Sequence, residues 1–238
     1  MTDMALPFPL FAFESRQEAN EALADALAAS VMLSHEQGRR ARIALSGGSS
    51  PEPAYRLFAG MDLDWSHVDI ALVDDRWVEL SDPGSNQAML LRAFEAATGV
   101  TIFGMKRATK TARESEGMLD PPYASLRPFD AVVLGMGPDG HSASWFPKSP
   151  DLQRCLDPKA QATVLGVDAS PAPIAAPYFD RMTITLPVVA EAHLVMLLIF
   201  GAEKKQILTR ALHAPIAIAP IRAAIEAGGN HFVALWAN

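Results

Sequence analysis

The stretch "GMGPDGHSASWFP" (residues 135–147) sets Asp139 and His141 on either side of Gly140, directly after the apolar run "FDAVVL". An imidazole titrates near neutrality and a neighbouring carboxylate fixes its orientation, so the pair suits general-base chemistry on a bound substrate. Gly135, Gly137 and Gly140 also spell G-x-G-x-x-G, the letter pattern of a dinucleotide site. The prolines that follow, at 147, 150 and 158, deny the long helix that such a site requires. A nucleophile elbow is excluded as well, because Ser144 stands where G-x-S-x-G needs its last glycine. His35, His67, His193, His213 and His231 lie near expected helix ends or strand starts and read as structural. No closely spaced set of ligands accompanies any histidine, so no metal is assigned.

Two further clusters carry chemistry. "LSGGSSP" places Gly47 and Gly48 between an apolar run and a helix start, with Ser46, Ser49 and Ser50 beside them. Backbone N–H groups in such a turn point at an anion, and the helix start adds partial positive charge; a plain tight connection is the other reading. The Gly-Lys-Ser/Thr ending of a P-loop is absent. "VDDRW" ends an apolar run with Asp74, Asp75 and Arg76. Arginine's planar fork grips phosphate or carboxylate in pairs of bonds; alternatively the acids cap the next turn and Arg76 pairs with one of them.

Bringing these clusters together is the task of the intervening elements. Residues 15–34 read as a helix, with Ser15 as N-cap and Glu18 completing a capping box. Strands are expected at 41–45, 68–75, 129–135, 163–167, 181–186, 193–200 and 231–237. Helices are expected after Pro51, over 86–97, and near 187–191, 202–212 and 220–227. Strands and helices alternate, and several strands are apolar throughout, as strands covered on both faces must be. The expectation is an α/β fold: an open, mainly parallel, doubly wound sheet with helices on both faces. Ligands bind beyond the carboxyl ends of such strands, where all three clusters fall. The Pro-rich segments 147–158 and 171–177 read as long surface loops near that site. No linker composition interrupts the chain, so residues 1–238 are expected to form one domain.

Bulk properties narrow the function. The 238 residues are half apolar and carry a net charge of −7 with no lysine-arginine run, which excludes nucleic acid as an expected partner. The longest strongly apolar stretch, "LVMLLIF" at 194–200, is far short of the roughly 20 residues that span a bilayer. Cys155 is the only cysteine, which rules out an internal disulfide. The start, "MTDMALPFPLFAF", lacks a basic flank and is broken by Pro7 and Pro9, so no export signal is read there. A cytoplasmic protein, as a monomer or small homo-oligomer, is the expectation.

Together the clusters resemble the 6-phosphogluconolactonase family. The likeness rests on "LSGGSSP", on "VDDRW" with Ser85 and Asn86, on "GMGPDGHSASWFP", on "RMTITLP" (181–187) and on "GAEKK" (201–205), in family order over nearly the whole chain. The resemblance implies a fold shared with sugar-phosphate isomerases and amino-sugar phosphate deaminases, and hydrolysis of 6-phosphoglucono-δ-lactone without a cofactor. It implies His141 as the base, oriented by Asp139, and associates Ser46, Gly47, Gly48, Ser49, Ser50, Arg76, Arg181 and Lys204 with the phosphate or the oxyanion. Asp75 falls in the catalytic group with His141, Asp139 and Arg76, but it replaces the family's usual glutamate and its role stays open. Ser142 and Trp145 replace the usual threonine and leucine, as packing changes. Deaminase relatives carry Asn-Glu-Pro where this chain reads Trp145, Phe146 and Pro147, which argues against ring opening. A binding module without catalysis would use the same cations but would not need the Asp139–His141 pair.

Overall fold

The computed structural model describes residues 6–238. In chain order its elements are β1 (Leu10–Phe13), α1 (Arg16–Glu36), β2 (Ala41–Leu45), α2 (Glu52–Ala59), β3 (Val68–Leu72), β4 (Asp74–Arg76), α3 (Asn86–Ala93), β5 (Thr101–Phe103), α4 (Glu116–Ala124) and β6 (Ala131–Leu134). There follow α5 (Leu152–Cys155), β7 (Val164–Asp168), β8 (Asp180–Ile184), α6 (Leu186–Glu191), β9 (Val195–Phe200), α7 (Ala202–Ala211), α8 (Ile221–Gly228) and β10 (Phe232–Ala237).

Seven strands form one sheet in the order β1-β10-β9-β6-β2-β3-β5, every neighbouring pair parallel. Val195 to Ile199 are consecutive and all buried. Successive side chains point to opposite faces, so the sheet is covered on both, as the apolar runs required. The chain runs outward from β2 through β3 to β5, then returns to β6 on the other side of β2 and continues the opposite way. The order therefore reverses between β2 and β6, the switch point at which open sheets bind ligands. The loops that follow those two strands are Ser46–Ser50 and Gly135–Ser144.

Helix α1 starts as its sequence dictates, with Ser15 Oγ accepting the N–H of Glu18 at 3.1 Å. The Glu18 carboxylate reaches the N–H of Glu14, not that of Ser15, so the reciprocal half of the capping box is displaced by one residue.

The expected strand 68–75 divides between two sheets. Val73 donates to Leu45 O at 2.9 Å in the large sheet, while its carbonyl accepts from Ile184 N at 2.9 Å. Beyond it β4 joins a separate three-stranded antiparallel sheet, β4-β8-β7. Helix α4 has no counterpart in the sequence expectations because it contains Pro121 and Pro122. Its side chains supply what those prolines remove: Leu119 and Tyr123 are buried, and Tyr123 Oη donates to Phe103 O while accepting Leu72 N–H. Segment 147–158 is tied down at a distance from the switch point. Its Asp151 bonds Arg113, Arg154 and the N–H of Asp168, and Ser149 bonds Asp168 O. Among the described residues no helix is long and apolar enough to cross a membrane.

Candidate active site

The loop after β6 is built to present one imidazole. Gly137 and His141 close a turn on themselves, with Gly137 N–H on His141 O at 2.8 Å and Gly140 N–H on Gly137 O at 3.1 Å. Gly140 has φ +78°, a left-handed value that other residues adopt at a cost, and its carbonyl accepts Ile221 N–H at the start of α8. Asp139 Oδ1 accepts the His141 backbone N–H at 3.2 Å and lies 2.5 Å from Nδ1. A carboxylate against Nδ1 selects the tautomer that leaves the Nε2 lone pair free. Burial pushes the Asp139 carboxyl up, but its hydrogen bond to His141 and the histidine's charge outweigh that and hold it below the usual carboxylate range.

Gly137 is small for a specific reason: a Cβ there would stand 2.1 Å from His141 Cε1 and Nδ1 and 2.8 Å from Asp139 Oδ1. Gly137→Ala is therefore expected to push the ring off its carboxylate and cut kcat by about 100-fold, the scale of an ångström's misplacement. Unchanged kcat in steady-state assays of the alanine variant would remove the reason given for this glycine.

The opposing wall gathers positive charge. Strands β4 and β8 pair Asp74 with Thr183, Asp75 with Met182 and Arg76 with Arg181. Alternation then sends Asp74, Arg76, Arg181 and Thr183 to one face and Asp75 to the other. Arg76 Nη1 donates to Gly84 O at 2.7 Å, while its Nε is buried without a partner. Arg181 Nε donates to Tyr178 O at 2.7 Å, and its Nη1 lies 3.9 Å from Asp74 Oδ2. Asp74 Oδ2 also accepts from Ser144 Oγ at 2.6 Å. Burial lowers the Arg181 guanidinium to about 10, with Asp74 opposing and Arg76 reinforcing that shift, and it stays charged at neutral pH. Lys204, in the first turn of α7, donates Nζ to Met136 O. Two arginines directly opposite repel one another, and an orphaned guanidinium N–H costs free energy; an anion between them relieves both.

The glycine-serine loop completes the rim. A Cβ on Gly47 would fall 2.0 Å from Asn86 Cγ, so the loop lies directly on Asn86, and Gly48 turns through φ +110°. Ser46 Oγ is buried on the same rim with no hydrogen-bond partner from the protein. One cavity of about 350 Å³ is lined by Ser46 to Ser50, Arg76, His141, Arg181 and Lys204. That size lies in the range of small-molecule sites. Asp139 stands behind His141 and does not line it.

Asp75 departs from the expected catalytic group. It is 1% exposed and absent from the cavity wall, and its carboxylate caps α3 by accepting the N–H groups of Arg76, Asn86 and Gln87 at 2.8, 2.7 and 3.2 Å. It acts on the site by seating Asn86 and Arg76. Asp74, Asn86, Phe146 and Ile174 also line the cavity; the first three stand in the motifs named from the sequence but were given no binding role there, and Ile174 stands in none. Asp74 follows from the parity of Arg76 once β4 is known; Asn86 is marked in the sequence by the motif it shares with Ser85, and in the structure by the glycine that lies over it. Ile174 brings segment 171–177 to the cavity as expected, whereas no residue of 147–158 lines it and only Phe146, just before that segment, does. Among the described residues no three His, Cys, Asp or Glu side chains are grouped to hold a metal ion.

Burial pushes the Asp75 carboxyl up to about 6 against the pull of its backbone donors. Its folded value lies above the unfolded one, so the group costs nothing below about pH 4 and its full penalty, on the order of 3 kcal/mol, above about pH 6. Thermal melts of the wild type and Asp75→Asn should accordingly diverge as pH rises from 4 to 7, the wild type losing ground. Parallel curves across that window would contradict the burial argument.

Fold and cavity define the class: an open parallel α/β protein whose switch point holds an aspartate-backed histidine facing a wall of cations. Residues 14–233 match the family of glucosamine-6-phosphate isomerases and 6-phosphogluconolactonases, and the chain belongs to that family. A 6-phosphogluconolactonase of Mesorhizobium japonicum is 34% identical over 232 residues, covering 95% of this chain and 94% of that one. One from Xylella fastidiosa is 38% identical over 196 residues, 80% of each chain. The crystal structure of a 6-phosphogluconolactonase from Shewanella baltica superposes with a TM-score of 0.90 at 28% identity, over 97% of this chain and 98% of that one.

Proposed function

We propose that this protein hydrolyses 6-phosphoglucono-δ-lactone to 6-phosphogluconate, with no cofactor. The observation that carries the reading is the Asp139–His141 pair and the cations Arg76, Arg181 and Lys204 lining or backing one cavity. The glycine-serine loop and the cations hold the phosphate, so binding energy far from the reacting carbon positions the ring. His141 Nε2 takes a proton from a water that attacks C1; the C1–O bond of the ring then breaks and the departing ring oxygen receives that proton. An arginine or backbone N–H holds the negative charge that develops on the carbonyl oxygen. Water adds across one ester bond, and no electrons are exchanged with another reactant.

The family also contains amino-sugar isomerases, whose chemistry opens a ring at a histidine. Phe146, its ring centroid 4.4 Å from that of His141, offers no carboxylate to assist it, which favours the lactonase. Lactone generated by glucose-6-phosphate dehydrogenase should disappear faster than its spontaneous hydrolysis when the protein is added. Ammonia released from glucosamine 6-phosphate, with the lactone untouched, would transfer the protein to the other chemistry. A single 1–238 domain, acting in the cytoplasm as a monomer or small homo-oligomer, completes the reading; the continuous core beneath both sheets and the buried, unpaired Cys155 support it.

A further inference from the structure

Phe146 is 1% exposed, yet little of its surroundings is ordinary core. Its apolar company is Ala169, Ala172 and Ala175, a small cluster separate from the main core. Its ring meets two polar groups of the site. The His141 ring centroid is 4.4 Å away with the planes inclined at 38°, and the Arg181 guanidinium carbon is 5.4 Å from the Phe146 centroid.

One hydrogen bond at Nδ1 is a pivot. It holds one corner of the imidazole and leaves Nε2, the working corner, free to swing. The backbone of Gly137 closes one approach to the ring, at the distance where a Cβ would collide. The face of Phe146 closes another. Arg181 is bonded to Tyr178 O and Ala175 O, at the edge of the same alanine cluster on which Phe146 packs. A flat ring packed against both an imidazole and a guanidinium gives the two a common rigid neighbour and gains from the cation's attraction to its face.

We propose that Phe146 is a positioning residue for the hydrolysis: its ring stops the swing of His141 Nε2 and sets the spacing between that base and Arg181. The proposal rests on the lactonase reading for its kinetic expression but not for its geometry. Leucine at 146 keeps the apolar bulk and loses the flat face. Phe146→Leu is expected to lower kcat between about 10- and 100-fold through misplacement of the base. KM should rise less than kcat falls, since the phosphate-binding loop is untouched.

Two measurements separate positioning from mere packing. Asp139→Asn and Phe146→Leu release the same imidazole, so the double variant should lose less than the product of the single losses. In the wild type the His141 Cε1–H proton should resonate upfield from the stacked ring, and in Phe146→Leu it should move downfield. Phe146→Leu with kcat within about twofold of wild type, or losses that multiply together with an unmoved His141 resonance, would overturn the proposal. If wild-type protein showed no lactonase turnover, the functional reading would fail by itself, and the resonance would still decide whether Phe146 positions His141.

Discussion

His141→Ala is expected to lower kcat by about 100- to 10,000-fold, the usual worth of a positioned general base. KM should stay near the wild-type value, because in the proposed reading the imidazole faces the attacking water while the phosphate is left to the other lining groups, Arg76, Arg181, Lys204 and the Ser46–Ser50 turn. Loss of kcat without loss of binding identifies an interaction realised only in the transition state. The lactone hydrolyses spontaneously, so the measurement is the enzymatic increment over that background, taken with limiting protein. Asp139→Asn should fall between the two, since the amide keeps one contact to Nδ1 but no longer favours the imidazolium formed when the proton arrives. Asp139 is held ionised well below neutral pH, so its own titration leaves the neutral range unaffected. Full turnover in His141→Ala would assign the base elsewhere in the cavity, where Asp74 is the one carboxylate among the described lining residues.

What the chain discloses in advance is what short-range chemistry determines. Strand β2 matches its expected limits at Ala41 and Leu45 because a run of apolar residues ends at two glycines, and nothing distant alters that. The His141 turn is legible for the same reason: Asp139, Gly140 and His141 bond one another within a few residues. Val73 is different. Its N–H and its carbonyl serve two sheets, and the partner that pulls the chain aside, Ile184, lies over a hundred positions away. The apolar run through residue 73 contains no trace of that division. The sequence offers capping of the next turn as one reading of Asp74 and Asp75, and only the antiparallel register against β8 separates the two, with 74 and 76 facing the cavity and 75 facing α3. Proline-containing α4 was concealed by the opposite circumstance: its local signal argues against a helix, and the buried Leu119 and Tyr123 override it.

Arg76→Ala and Arg181→Ala should part company although both remove a cation from the same wall. A charge-assisted hydrogen bond contributes roughly 1.5 to 3 kcal/mol, so either change is expected to raise KM about 10- to 150-fold with a smaller effect on kcat. Their effects on the empty protein should differ. Arg76 gives up one bond, to Gly84 O, and its removal relieves the repulsion with Arg181 directly across the strand pair. The bond is worth roughly 1.5 to 3 kcal/mol and the relieved repulsion about 1 kcal/mol or less, so the melting temperature of ligand-free Arg76→Ala should fall only modestly below the wild type. Arg181 is 5% exposed, and its loss orphans the carbonyl of Tyr178 while leaving Asp74 buried without its cation, so Arg181→Ala should melt well below both. Inorganic phosphate distinguishes binding from folding: it should raise the wild-type melting temperature by mass action and leave that of Arg76→Ala unmoved. Equal phosphate stabilisation of the two would mean that the anion sits elsewhere, and the paired arginines would then need another explanation for enduring each other's charge.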